Sequence, residues 1–481
     1  IGCRFWDLAL REHAAFQRGA AIYDEAMSSF FRNVDARHHP PAEISLGDGT
    51  RPISSLRARA VLVDMEEGVV SQMLRSPLAE LFDRSSILTD VSGAGNNWAH
   101  GHDEYGPMHR EGILERVRSA TEKCDSIQCF SLLFSMGGGT GSGLGSYTLH
   151  SLEDEFPAVT RITTAVFPST TDDVITSPYN AVLAAFSLIQ HSHVSIPVDN
   201  AALAAMVRRA EGTKGQVAPT SAVGGSAEAI LPNSLASNGC MATGRNKAST
   251  RRSRAFDAMN NLVAHAICGL TASVRFPGAL NTDLADLTSN LIPFPKMHFL
   301  LPALAPLYSA DAARYQPAKL DALFSEGLAP HSQLTTADPR RHRYLACGLL
   351  LRGDATVSDA QRSLAKTKPH LQLPWWNPDA FKIGLCAAPP VGQPHALLAL
   401  SNNCAVAKIV EQMIARFDML YRKRAHVHHF TRYMDASLFD DAREGLRSMA
   451  DGYRAVERLN PPPRAEELMA QLAPSAAAMT R

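Results

Sequence analysis

The run Ser135-Met136-Gly137-Gly138-Gly139-Thr140-Gly141-Ser142-Gly143 limits what this chain can fold into more than any other stretch, because five of the seven residues 137–143 are glycine. An apolar run, 129–134, precedes it and reads as a buried strand. Leu144, Leu149, Leu152 and Phe156 follow at helical spacing. A glycine turn between strand and helix lets several backbone N–H groups converge on one point. The helix N-terminus adds positive potential there, which suits a phosphate. No Lys stands before the Thr or Ser, so this is not the G-x-x-x-x-G-K-[ST] loop, and no register gives G-x-G-x-x-G. A mobile surface loop is the bland alternative, and the flanking strand and helix speak against it.

Residues 1–206 alternate strand-like and helical segments, with short apolar runs at 60–63, 129–134 and 162–167. That alternation predicts a doubly wound α/β domain with ligands at the carboxyl ends of its strands. Residues 207–254 are rich in Gly, Ser, Thr, Ala and Pro and end in Arg245, Lys247, Arg251, Arg252 and Arg254. They read as a disordered insertion loop. A core helix is predicted over 256–274, within a unit spanning 255–275, with Leu262, Val263, Ala266, Ile267 and Leu270 on one face and Pro277-Gly278 as its stop. An intermediate α/β domain over 276–407 and a C-terminal helical region over 408–481 complete the chain, the latter with helices near 409–424 and 438–459.

Lys and Arg total 47 and Asp and Glu total 47, so no net charge favours nucleic acid or an anionic membrane. No apolar run reaches the ~18 residues of a membrane-spanning helix. The eight cysteines are scattered without a C-x-x-C pair, which reads as core thiols and not as a disulfide frame or zinc site.

GGGTGSG is also a tubulin signature, and the resemblance runs from the first residue to about Tyr453. Matching segments include Val63-Asp64-Met65-Glu66, Ser92-Gly93-Ala94-Gly95-Asn96-Asn97-Trp98, Pro178-Tyr179-Asn180, Asp199-Asn200 and Arg275-Phe276-Pro277-Gly278. FWDLALREHA from Phe5, IYDEAMSSFFRNVD from Ile22 and DDVITSPYN from Asp172 resemble the epsilon class of that family. The resemblance implies GTP and Mg2+ as ligands. It also places a strand and a phosphate loop before Ile1, so the sequence is expected to lack the family's first strand.

By the same resemblance, Ser135, Gly137, Gly138, Gly139, Thr140 and Gly141 cradle phosphates, and Gly95 and Asn96 sense the terminal one. Asp173 and Ser177 approach the ribose, although alpha- and beta-tubulin commonly carry Glu where Ser177 stands. Asn200 and Asn260 read the guanine edge, to which an Asn amide is complementary, and Phe256 falls where those tubulins stack a Tyr on the base. Taken alone, each Asn reads as a helix cap or surface amide. Glu66 matches the acid near magnesium. Asp286, with Asp283 in support, matches the acids that meet the nucleotide of the next subunit and orient attacking water. Taken alone, both read as solvated acids at a helix start.

The resemblance thus implies a GTP-binding microtubule protein of centrosomes, centrioles and basal bodies that supports doublet and triplet microtubules. Delta-tubulin, alpha/beta-tubulin and centriolar proteins are its implied partners. The alternative is a non-polymerising, GTP-gated scaffold or cap. An oxidoreductase sharing the doubly wound sheet is disfavoured, since the dinucleotide fingerprint is missing. His426, His428 and His429 sit among cations and read as structural, and Trp375-Trp376 reads as core or interface packing.

Overall fold

The computed structural model describes residues 1–38, 41–169, 174–213, 247–307 and 319–460. Three parallel strands lie in the order Val194–Asp199, Thr160–Phe167, Cys129–Ser135. The middle strand, TRITTAVF, is buried along nearly its whole length because helices cover both faces. Ile162, Val194, Ile196 and Val198 point to one face, where they meet Leu203, Met206, Met259, Leu262 and Val263. Ala165 and Phe167 point to the other face, toward helix Ser177–His191. Helices Val406–Tyr421 and Ser437–Arg458 pack outside that helix.

A second parallel pair, Leu62–Asp64 with Ile87–Thr89, joins this layer through Val63, Leu88, Leu132, Met65, Ile113 and Leu144. The strand Cys129–Ser135 is less buried than its apolar sequence suggests. Its burial alternates, with Ser131, Leu133 and Ser135 exposed on one face and Phe130, Leu132 and Phe134 partly covered on the other.

The second sheet runs Leu300–Ala305, Ala396–Asn403, Tyr344–Arg352, Phe381–Cys386, with two antiparallel pairings and then a parallel one. Ser195 N–H donates to His298 O at 3.0 Å and joins the two layers. The long helix Lys247–Leu270 packs against both, sharing one cluster with Ile196, Val198, Leu398 and Leu400. Helix Gly2–Phe16 runs along it. Beneath them Glu12 Oε2 meets Arg275 Nη2 at 2.7 Å and Glu12 Oε1 meets Arg352 Nη1 at 2.7 Å, all three side chains being buried.

The core helix begins earlier than expected, at Lys247. It stops at Leu270, with Ala272–Arg275 as a separate turn before Pro277. Helix Asn200–Thr213 likewise continues into the segment read as a loop, and residues 214–246 lie outside the described residues. The terminal helices fall within a few residues of their expected places. Trp375 and Trp376 are not core, being 49% and 36% exposed and packed edge to face at 5.7 Å. No described helix is long and apolar enough to cross a membrane.

Candidate nucleotide site

The glycine run forms a turn at the carboxyl end of strand Cys129–Ser135, where Met136 N–H donates to Val166 O at 3.0 Å. A wide π turn, Thr140–Leu144, opens the following helix Gly145–Glu155. The first amides of such a helix have no preceding carbonyl to bond and project from the strand end. A second π turn, His100–Tyr105, packs directly against the first. A Cβ on Gly139 would stand 2.6 Å from Asn97 N and 2.8 Å from Ala94 O. One on Gly143 would stand 2.2 Å from Trp98 O. Backbone meets backbone there, so glycine is required. π turns are uncommon and concentrate at functional positions.

The loop 93–98 carries consecutive left-handed residues, Gly95 at φ 57° and Asn96 at φ 54°. Both are exposed beside the glycine turn. Asn180 holds the two loops together, and reading the sequence alone assigns it no role. It is fully buried, donates to Gly137 O at 2.9 Å and to Asn96 O at 2.8 Å, and accepts from Trp98 N–H at 2.9 Å. The one signal for it in sequence was its place in the Pro178-Tyr179-Asn180 match. Thr176 Oγ1 donates to Asn96 O at 2.9 Å, and the buried Ser177 hydroxyl faces Gly137 O at 3.4 Å. Ser135 Oγ accepts from Gly137 N–H at 3.4 Å, and Thr140 Oγ1 faces Ala94 N–H at 3.5 Å. Asp173 lies outside the described residues.

Glu66 is exposed at the carboxyl end of strand Leu62–Asp64, its N–H donating to Asp64 Oδ1 at 3.3 Å. Its carboxylate lies against the same loop, for a Cβ on Gly93 would stand 2.4 Å from Oε1. Among the described residues no three His, Cys, Asp or Glu side chains form a metal cage. One carboxylate beside phosphates suits magnesium, which keeps most of its waters and takes few protein ligands.

Asn200 opens the helix at the carboxyl end of strand Val194–Asp199. Burial raises the carboxyl pKa of its neighbour Asp199, against the opposing Ala201 N–H at 2.7 Å. Phe256 and Asn260 stand one turn apart on the long helix, Phe256 being 45% exposed. The two helices pack together through Leu203 and Met206 with Ala258 and Met259.

Asp283 and Asp286 are placed elsewhere. Helix Leu284–Leu291, with Asp283 as its N-cap, packs on the second sheet, and Asp286 Oδ2 pairs with Lys382 Nζ at 3.3 Å.

The chain matches two family models, "Tubulin/FtsZ family, GTPase domain" over residues 1–208 and "Tubulin C-terminal domain" over residues 295–415. It is similar to the tubulin epsilon chain of Mus musculus, 46% identical over 95% of this chain and 93% of the relative, and to that of Homo sapiens, 44% identical over the same shares. The chain belongs to the tubulin family. It is 30% identical to a tubulin beta-2 chain of Suillus bovinus over 95% of this chain and 93% of the relative, so this tubulin is more similar to the epsilon chains than to that beta chain. The GTPase-domain match makes it a GTP-binding tubulin, and it ends just past Asn200, so it covers the turn and loops described above.

Proposed function

We propose that this tubulin binds GTP and Mg2+ at the carboxyl ends of the parallel strands and acts in assembly and stability of centriolar and basal-body microtubules, with delta-tubulin, alpha/beta-tubulin and centriolar proteins as partners. The observation that carries the nucleotide part is the convergence of the glycine turn and the loop 93–98 on buried Asn180. In this reading residues 137–141, with Ser135, hold the phosphates and Gly95 and Asn96 close on them. Glu66 gives a carboxylate to magnesium. Asn200 and Asn260 read the base, Phe256 stacks on it, and Asp173 and Ser177 face the ribose. The similarity to epsilon chains supports the centriolar part.

Asp286, with Asp283, completes hydrolysis on the nucleotide of an adjoining subunit. Its place on the second sheet, away from the loops around Asn180, supports action across an interface. A second reading, a nucleotide-gated cap that does not turn over, is favoured by the Lys382–Asp286 ion pair, which occupies the carboxylate that would orient water. Phosphate release followed against protein concentration, with and without alpha/beta-tubulin, separates them. Cooperative turnover that Asp286→Ala abolishes establishes the first. GTP binding with no turnover, unchanged in the variant, overturns it in favour of the second.

A further inference from the structure

The outer turn between the two C-terminal helices carries charge of one sign only. Residues 422–433, RKRAHVHHFTRY, hold four Lys or Arg, three His and no acid, in a chain that is otherwise balanced. Arg422, Lys423, Arg424, His428, His429 and Arg432 are exposed. Among the described residues Lys423, Arg424 and Arg432 have no carboxylate partner. The acid just before them, Asp418, is already shared by Arg443 at 2.8 Å, Arg447 at 3.1 Å and Arg422 at 3.9 Å. The positive potential is therefore left for a ligand to neutralise.

This turn is also tied to the phosphate loops. Asn97, in the loop packed on Gly139, donates from Nδ2 to His429 O at 2.9 Å. Tyr179, next to Asn180, donates from its hydroxyl to Ala425 O at 2.8 Å. His100 stacks on Tyr433 with ring centres 4.7 Å apart. The nucleotide loops and the cationic turn are thus one hydrogen bond apart at two places.

We propose that the turn 422–433 docks an acidic polypeptide and that GTP in the neighbouring site changes its affinity through Asn97 and Tyr179. The tyrosine rings here are already engaged, Tyr433 by His100 and Tyr421 by Phe417 and Phe439, and the exposed His428 and His429 rings lie against each other at 4.0 Å, which leaves little of the stacking surface that single-stranded nucleic acid uses. One exposed apolar side chain, Met419, lies beside the cations, which suits a glutamate-rich segment better than a bilayer. The GTP dependence rests on the nucleotide site proposed above; the docking does not.

A fluorescein-labelled peptide of about ten glutamates is titrated into the full chain by anisotropy, with and without GTP, while GTP binding is measured on the same sample. The expected result is binding that weakens steeply with salt, falls by about tenfold or more in Lys423→Glu with Arg424→Glu, and shifts by about threefold or more on adding GTP. Tyr179→Phe removes the hydroxyl donor to Ala425 O and adds no charge, so it should keep the peptide affinity and lose part of the GTP effect. No peptide binding, or binding unmoved by the charge reversals, overturns the docking surface. Polyuridylate or phosphatidylserine vesicles displacing the peptide at lower concentration than unlabelled peptide overturn the choice of polypeptide. Peptide affinity indifferent to GTP in a sample that binds GTP overturns the coupling, whereas failure to bind GTP strikes the nucleotide site itself.

Discussion

Asn180→Ala tests whether the buried amide organises the nucleotide loops or only fills space. The substitution removes three hydrogen bonds, and the structure indicates what each loss leaves. Asn96 O keeps Thr176 Oγ1 at 2.9 Å, so it stays paired. Trp98 N–H loses its partner inside the core, and Gly137 O keeps only the long contact to Ser177 Oγ at 3.4 Å. Two stranded groups at about 1–3 kcal/mol each put the cost at about 2–6 kcal/mol. If half of that falls on the loop arrangement that binds phosphate, GTP affinity drops by about five- to hundredfold, at 1.4 kcal/mol per decade.

Asn402→Ala is the matched control. Asn402 is equally buried and donates to Leu291 O and Met297 O at 2.8 Å each, but in the second sheet. Both variants should lower the melting temperature by similar amounts, and only Asn180→Ala should weaken a fluorescent GTP analogue. Equal loss of nucleotide affinity in the two, or a change within about twofold in Asn180→Ala, would refute the reasoning.

Two further outcomes follow from geometry and burial. Gly139→Ala should abolish nucleotide binding and Gly112→Ala, on helix Gly106–Thr121, should leave it nearly intact in the same titration, since the added Cβ meets backbone at 2.6 Å in the first and only side-chain atoms in the second, the nearest being the Arg116 end at 3.5 Å. Burial pushes the imidazoles of His13 and His298 down to about 4 from 6.5. The unfolded chain therefore takes up protons first as pH falls. Their contribution to stability is complete above about pH 6.5 and drains away between 6.5 and 4, by about 3 kcal/mol each at most. Urea midpoints should fall over that window, and fall less steeply in His13→Phe, whose wild-type ring has both nitrogens unpartnered among the described residues.

The parts of this fold that were legible in sequence are those where local chemistry and burial agree. The strand Thr160–Phe167 announces itself by its continuous apolar run, and the helices Val406–Tyr421 and Ser437–Arg458 by their period. The glycine turn announces itself because only glycine allows backbone to approach backbone at Gly139. The strand Cys129–Ser135 misled, since an apolar run does not say whether both faces of a strand will be covered. The helical ends at Thr213 and Lys247 were hidden in a composition typical of loops. Asn180 could not be weighed, because an amide in a helix looks the same whether it faces water or holds two loops together across more than forty residues of sequence. The Lys382–Asp286 pair was invisible for a similar reason, being made by a strand and a helix 96 residues apart.

The buried acid under the first helix has a consequence for how the molecule comes apart. Burial alone would push the Glu12 carboxyl up, yet Arg352 and Arg275 outweigh it and hold its pKa below the usual range, so it stays ionised. One anion thereby bridges two cations, Arg275 in the turn after the long helix and Arg352 in the second sheet, and withdrawing Glu12 leaves both guanidinium charges unpaired in the interior, where breaking a buried pair costs about 3–5 kcal/mol. Opening the structure around Glu12 unpairs Arg352 in the second sheet at the same time. The molecule should therefore lose its structure in one cooperative step, with residues 12, 275 and 352 released together.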